Sequence, residues 1–256
     1  MAQGKLVEAM QAYKETLAIS ERLAKADPSN ARWQRQLAAA YDRIGSALLA
    51  GGNLVEALKA FQDSLAITEM LTALDPPNYD WQHDLGTAQH RIGTVLEAQG
   101  KLAEALNSYR QSLDSRKRLI TLSPNNALWQ RDLSVSYSKI GDIVGAQGDL
   151  AGALKAYEES LAIRERLAKL QPANADWQRD LAITYARIAW VLTQRGEKVA
   201  ALKQFRQGRA ILVALIEKAP GNAQLPRDLA GFDAYIGALE GRGSVSPAPQ
   251  PVQAAQ

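Results

Sequence analysis

The sequence predicts an all-α chain: an α-solenoid of stacked antiparallel helical hairpins, about ten helices in all. Three observations carry this. Tryptophan recurs every 48 residues, at Trp33, Trp81, Trp129 and Trp177, opening the pentads WQRQL, WQHDL, WQRDL and WQRDL. Other columns keep the same step: Asn30, Asn78, Asn126, Asn174 and Asn222; Pro28, Pro76, Pro124, Pro172 and Pro220; Gly4, Gly52, Gly100, Gly148 and Gly196. Between these columns the apolar residues fall at spacings of three and four, which is one face of a helix. A fixed period of this length is the mark of a repeat architecture.

The elements follow in chain order. Residues 1–29 read as the second helix of a truncated repeat, with Leu6, Ala9, Met10, Tyr13 and Leu17 on its apolar face and no first helix before it. That open face is a candidate self-association surface, or the edge of a longer array. Four full repeats follow, at 30–77, 78–125, 126–173 and 174–221, and the third shows the logic. Asn126 is placed to cap a first helix, its side chain accepting from a free N–H of the first turn. Trp129, Leu133, Tyr137, Ile140 and Val144 form one face, and Gly148 supplies the reversal. A second helix then carries Leu150, Ala153, Leu154, Tyr157, Leu161 and Leu167 until Pro172 stops it. Each helix spans about 20 residues, or roughly 30 Å. Neither could bury its stripe alone, so stacking supplies the stability. The tryptophan is expected to seal the end of the preceding second helix, near Leu119 and Leu122 in the case of Trp129. Residues 222–242 read as a lone first helix that caps the array, with Leu225 in the tryptophan column. The tail 243–256 is rich in Pro, Ser and Gln and is expected to be disordered.

The centre of each repeat resembles the tetratricopeptide repeat (TPR). In the third it reads Tyr137, Ile140, Gly141, Val144, Gly148, Ala153, Tyr157, Ser160, Leu161. The lengthened repeats are similar to those of kinesin light chains and of many bacterial TPR proteins. The resemblance implies a right-handed superhelix whose concave groove, lined by the first helices, holds a peptide or helix of a partner. Gly45, Gly93 and Gly141 are expected to admit the facing helix where it carries Ala57, Ala105 or Ala153. Gly86 and Gln89 make the second repeat the least regular.

Composition narrows the function. Lys plus Arg total 30 against 27 Asp plus Glu, a net charge of only +3, so no concentrated basic surface marks a nucleic-acid binder. Cysteine is absent, which removes thiolate chemistry and disulfides. No apolar run reaches the length of a signal peptide or a membrane span, and a cytoplasmic location is the default expectation. His83 and His90 lie about 10 Å apart along one helix, too far to share a metal. Nothing in the pattern suggests a catalytic set, a cofactor loop or a metal site. An RNA-reading solenoid would need a regular code of stacking side chains, and beyond Trp190 the groove column lacks one.

The candidate binding residues are a basic column, Arg43, Arg91, Lys139 and Arg187, with Asp142 and the non-repeating Trp190 beside it. A basic ladder would favour an acidic or carboxylate-ended segment. The alternative is that these cations bond to Asp42 or Asp142 inside the array. The leading functional reading is a non-enzymatic protein-interaction scaffold; the other is a structural spacer or self-association module of a larger protein.

Overall fold

The structure, a computed structural model, describes the backbone of residues 2–242 and the side chains of residues 9–242. The side chain of Leu6 and the tail 243–256 lie outside the described residues. Among those described there are ten helices and no strand: α1 (Ala2–Ala26), α2 (Ala31–Ala50), α3 (Leu54–Leu74), α4 (Tyr79–Ala98), α5 (Leu102–Leu122), α6 (Ala127–Ala146), α7 (Leu150–Leu170), α8 (Ala175–Gln194), α9 (Lys198–Lys218) and α10 (Gln224–Leu239). They form two compact units, Met1–Trp129 and Gln130–Gln256. In the first unit α1 packs on α2, α2 on α3, α3 on α4 and α4 on α5; in the second, α7 packs on α8, α8 on α9 and α9 on α10.

The predicted signals act where the sequence puts them. The side chains of Asn30, Asn78, Asn126 and Asn174 each accept from the N–H of the tryptophan three residues on, at 3.1–3.2 Å. Each such cap is worth about 1 kcal/mol to its helix. Gly52, Gly100, Gly148 and Gly196 reverse the chain with φ of +75° to +88°, a conformation that side chains oppose. Gly4 keeps their register but lies inside α1.

The pentad has a part for every residue. The tryptophan packs at the start of the first helix; Trp177 is buried, while Trp33, Trp81 and Trp129 are half-buried. The ring of Trp129 lies 5.8 Å from that of Tyr79, at the start of the preceding first helix. Leu119 is buried, but Leu122, expected beneath the indole, keeps 39% of its surface exposed. The glutamine ties down the turn: Gln34, Gln82 and Gln178 donate to the carbonyls of Pro28, Pro76 and Pro172. The arginine reaches the aspartate of the next pentad. Arg35 Nε donates to Asp84 at 2.6 Å, Arg131 to Asp180 at 2.8 Å and Arg179 to Asp228 at 2.6 Å. The leucine enters the core, with Leu85, Leu133 and Leu181 all buried.

One expectation about the glycines needs correcting. A Cβ on Gly45, Gly93 or Gly141 would stand 2.6–2.8 Å from the ring of Phe61, Tyr109 or Tyr157, not from the alanine one turn earlier. Those alanines are buried too, but the rings claim the space. Phe61, Tyr109, Tyr157 and Phe205 form a column of large, fully buried rings. Burying each ring contributes roughly 2–3 kcal/mol, more than the ~1 kcal/mol that a mid-helix glycine costs. Phe205 lies under α10, edge-on to Phe232 and stacked on Tyr235 at 5.1 Å. Gly208 is a further close approach: a Cβ there would come within 2.8 Å of the Ala182 carbonyl oxygen. At the equivalent sites the hydroxyls of Ser112 and Ser160 donate to the carbonyls of Gly86 and Ser134.

Candidate functional site

The candidate residues all lie on first helices: Arg43 on α2, Arg91 on α4, Lys139 and Asp142 on α6, and Arg187 and Trp190 on α8. The fold treats them unequally. Arg43 is exposed, and Lys139 is half-buried. Arg91 faces Asp42 of the preceding first helix, with Nε 3.8 Å from Oδ1. Both atoms are shielded from solvent and neither makes a hydrogen bond. Burial raises the Asp42 carboxyl above its ordinary value, and the nearby Arg91 only partly offsets this.

Arg187 is buried. Its guanidinium grips Asp142 with two bonds, Nε to Oδ1 at 2.9 Å and Nη2 to Oδ2 at 3.0 Å. Asp142 also accepts from the Tyr157 hydroxyl at 2.8 Å. Burial opposes the charge on Arg187, and the facing carboxylate more than restores it. Of the two uses weighed for this column, Arg187 takes the internal one: both oxygens of its acceptor are occupied within the array.

Trp190 rests on Gly145, whose missing side chain leaves room for the indole; a Cβ there would lie 3.5 Å from the ring. The ring is half-buried, and its shielded Nε1 has no hydrogen-bond partner among the described residues. A buried N–H left unpaired carries a penalty of about 1–3 kcal/mol.

Arg164 on α7 escaped the sequence reading. It is buried and surrounded by neutral acceptors, donating to the Ser134 hydroxyl, the Asp180 carbonyl and the Thr184 hydroxyl. Burial pulls its pKa down to about 10. Nothing in its own helix marks it, because its acceptors come from both neighbouring first helices. The bonds between successive pentads did have a signal. Arginine and aspartate recur together at these places in the pentads, though the first carries Gln36 and the second His83 in their stead.

No group of His, Cys, Asp and Glu among the described residues could hold a metal ion. No helix among them is long and apolar enough to cross a membrane.

Antiparallel helical hairpins on a fixed period, with glycine where an aromatic ring of the second helix crosses the first, define a helical-repeat protein. The chain belongs to the tetratricopeptide repeat family, whose model matches residues 37–78, 85–120 and 133–171. No curated protein matches the chain. Among solved structures it is similar to BtubC (BKLC) from P. vanneervenii, at 15% identity over 95% of each chain with a TM-score of 0.60. The apo form of RapI matches at 15% identity over 93% of this chain and 72% of that one, with a TM-score of 0.66. A Podosopora anserina kinesin-light-chain candidate with nearly identical TPR-like repeats matches at 17% identity over 87% of this chain and 91% of that one, with a TM-score of 0.54. At these identities the likeness is one of fold. Proteins of this family typically mediate protein–protein interactions and are usually not catalytic.

Proposed function

We propose that the chain is a non-enzymatic scaffold that holds a peptide or helix of a partner protein against its first helices. The observation that carries this reading is Trp190, a non-repeating aromatic that the periodic core does not need. Its ring is half-buried on a first helix and keeps part of its surface open to solvent. Large amphipathic rings of this kind are enriched among the residues that anchor interfaces. Lys139 lies one turn before Asp142 on α6, and Arg43 and Arg91 keep surface on α2 and α4. These cations favour an acidic or carboxylate-ended segment. Arg187 serves the site from behind, by fixing α6 to α8.

A second reading, self-association, rests on α1. Tyr13 belongs to the aromatic column yet is only half-buried, and Ile19 is 52% exposed. One comparison separates the two. Proteins captured by the wild type, by Trp190→Ala and by Lys139→Glu are identified by mass spectrometry, and the free proteins are weighed by sedimentation at several concentrations. The scaffold reading expects one defined partner, lost from both variants, and a constant monomer mass. A mass that rises with concentration and falls back in Tyr13→Glu would replace it with self-association. Unchanged capture by Trp190→Ala together with a lower melting temperature would return Trp190 to the core.

A further inference from the structure

Four columns change their chemistry together around the second repeat. Asn107 stands in the column of Lys59, Lys155 and Lys203, and Gln111 in that of Asp63, Glu159 and Gln207. Gln62, on the second helix before them, stands in the column of Lys14, Arg110 and Glu158. Each of the other repeats places at least two charges at these three positions. The fourth change is on a first helix, where Gln89 stands in the column of Tyr41, Tyr137 and Tyr185. Charges and a phenol have given way to carboxamides.

All four line one cleft of about 490 Å³, walled by α3, α4 and α5, with Leu65, Ile92 and Leu96 as its apolar part. That volume is within the range of ligand sites. Gln62, Asn107 and Gln111 are exposed, while Gln89 is 8% exposed. The Gln89 carbonyl oxygen accepts from the Ser115 hydroxyl at 2.8 Å, so its NH2 group remains to donate into the cleft that it lines. Of the lining residues only Glu104 carries a charge. A carboxamide offers donor and acceptor without charge, the same pair that each peptide group presents. A helix satisfies those groups internally along its middle, whereas an extended chain turns them outward. The spacing agrees as well. Asn107 and Gln111 lie one turn apart on α5, about 6 Å, and alternate residues of an extended chain lie about 6.6–6.8 Å apart.

We propose that this cleft is a second protein-binding site, which takes an uncharged, extended segment of a partner through its backbone. Asn107 and Gln111 hold successive outward peptide groups along α5, and Gln62 meets the chain from α3. Gln89 donates to a backbone carbonyl, and an aliphatic side chain of the segment packs on Leu65, Ile92 and Leu96. Glu104 turns acidic segments away, which separates this ligand from the acidic one proposed for the first-helix face. Either reading can fail alone.

The test uses the peptide N-acetyl-Thr-Leu-Thr-amide as the probe on the whole protein, followed by NMR of the methyl groups of Leu65, Ile92 and Leu96. Saturable shifts are expected. The same peptide N-methylated at its leucine keeps the side chain but loses a backbone donor, and should bind about fivefold more weakly. N-acetyl-Glu-Leu-Glu-amide should also be weaker. Asn107→Lys combined with Gln111→Glu gives α5 the kind of pair that α7 carries in Lys155 and Glu159. This double variant should melt as the wild type does and bind the probe about tenfold more weakly. Lys139→Glu should bind it as the wild type does. Absent or non-saturating shifts, equal binding of the N-methylated peptide, tighter binding of the acidic one, or full binding by the folded double variant would each overturn the proposal. So would a loss in Lys139→Glu, which would place the peptide on the first-helix face.

Discussion

Arg91 and Arg187 stand two periods apart at the same place in their repeats, and the fold uses them differently. Arg187 finds Asp142 on the preceding first helix, closes two hydrogen bonds on it and is buried. The residue equivalent to Asp142 in the first repeat is Ser46, so Arg91 meets no carboxylate there. It faces Asp42 instead, one turn earlier, at 3.8 Å and without a hydrogen bond. A cation in a repeat column is therefore structural or available according to a single residue 45 positions upstream. That is why the column cannot be read as a uniform ladder.

The largest break of this contrast is Asp142→Ala. It strands a buried guanidinium and leaves the Tyr157 hydroxyl without its acceptor, and should cost about 3 kcal/mol in urea unfolding. A loss under ~1 kcal/mol would mean that Arg187 reaches solvent and that the pair is no more structural than a surface bridge.

Asp42→Asn acts in the opposite direction. Because burial raises the Asp42 carboxyl above the ordinary 3.8, the folded state holds that proton more tightly than the unfolded chain does. The stability this proton contributes is present at low pH and is lost as pH rises through the raised value. A carboxamide at this position cannot ionise, so the variant should be more stable by up to about 1 kcal/mol at neutral pH, with the gain vanishing below about pH 4. Melting curves across that range check it; a variant that is less stable at neutral pH would show that Arg91 depends on Asp42 after all.

The smallest effect expected is from Ser46→Asp, which offers Arg91 the acceptor that Arg187 enjoys. A gain of about 0.5 kcal/mol is expected, removed when Arg91→Met is added. No coupling in that double-mutant cycle would place the difference between the two arginines in the helix spacing and not in the acceptor.

Gln89 and Tyr185 repeat the lesson with bulk in place of charge. In both pairs the period is kept, along with the caps, turns and glycines that make it, while the side chain at one position of the repeat differs. The sequence marked Gln89 as irregular without showing a cleft, because the cleft is lined from three helices, with Leu65 of α3 and Gln111 of α5 beside Gln89.

What the sequence determined by itself is short-range. An asparagine cap acts over three residues, a glycine turn over four and an apolar stripe over each helical turn, so helix limits and the hairpin order followed from spacing, and the family from the residues that resemble its pattern. The tertiary structure decided whatever depends on the offset between neighbouring helices. That offset set the aromatic rings of the second helices, and not the alanines, against Gly45, Gly93 and Gly141. It joined Arg35 to Asp84 across a full period and buried Arg187 while leaving Arg43 exposed. The physical reason is that a helix writes its own periodicity into its residues. Which turn of one helix lies beside which turn of the next is set only when the packed side chains choose the crossing.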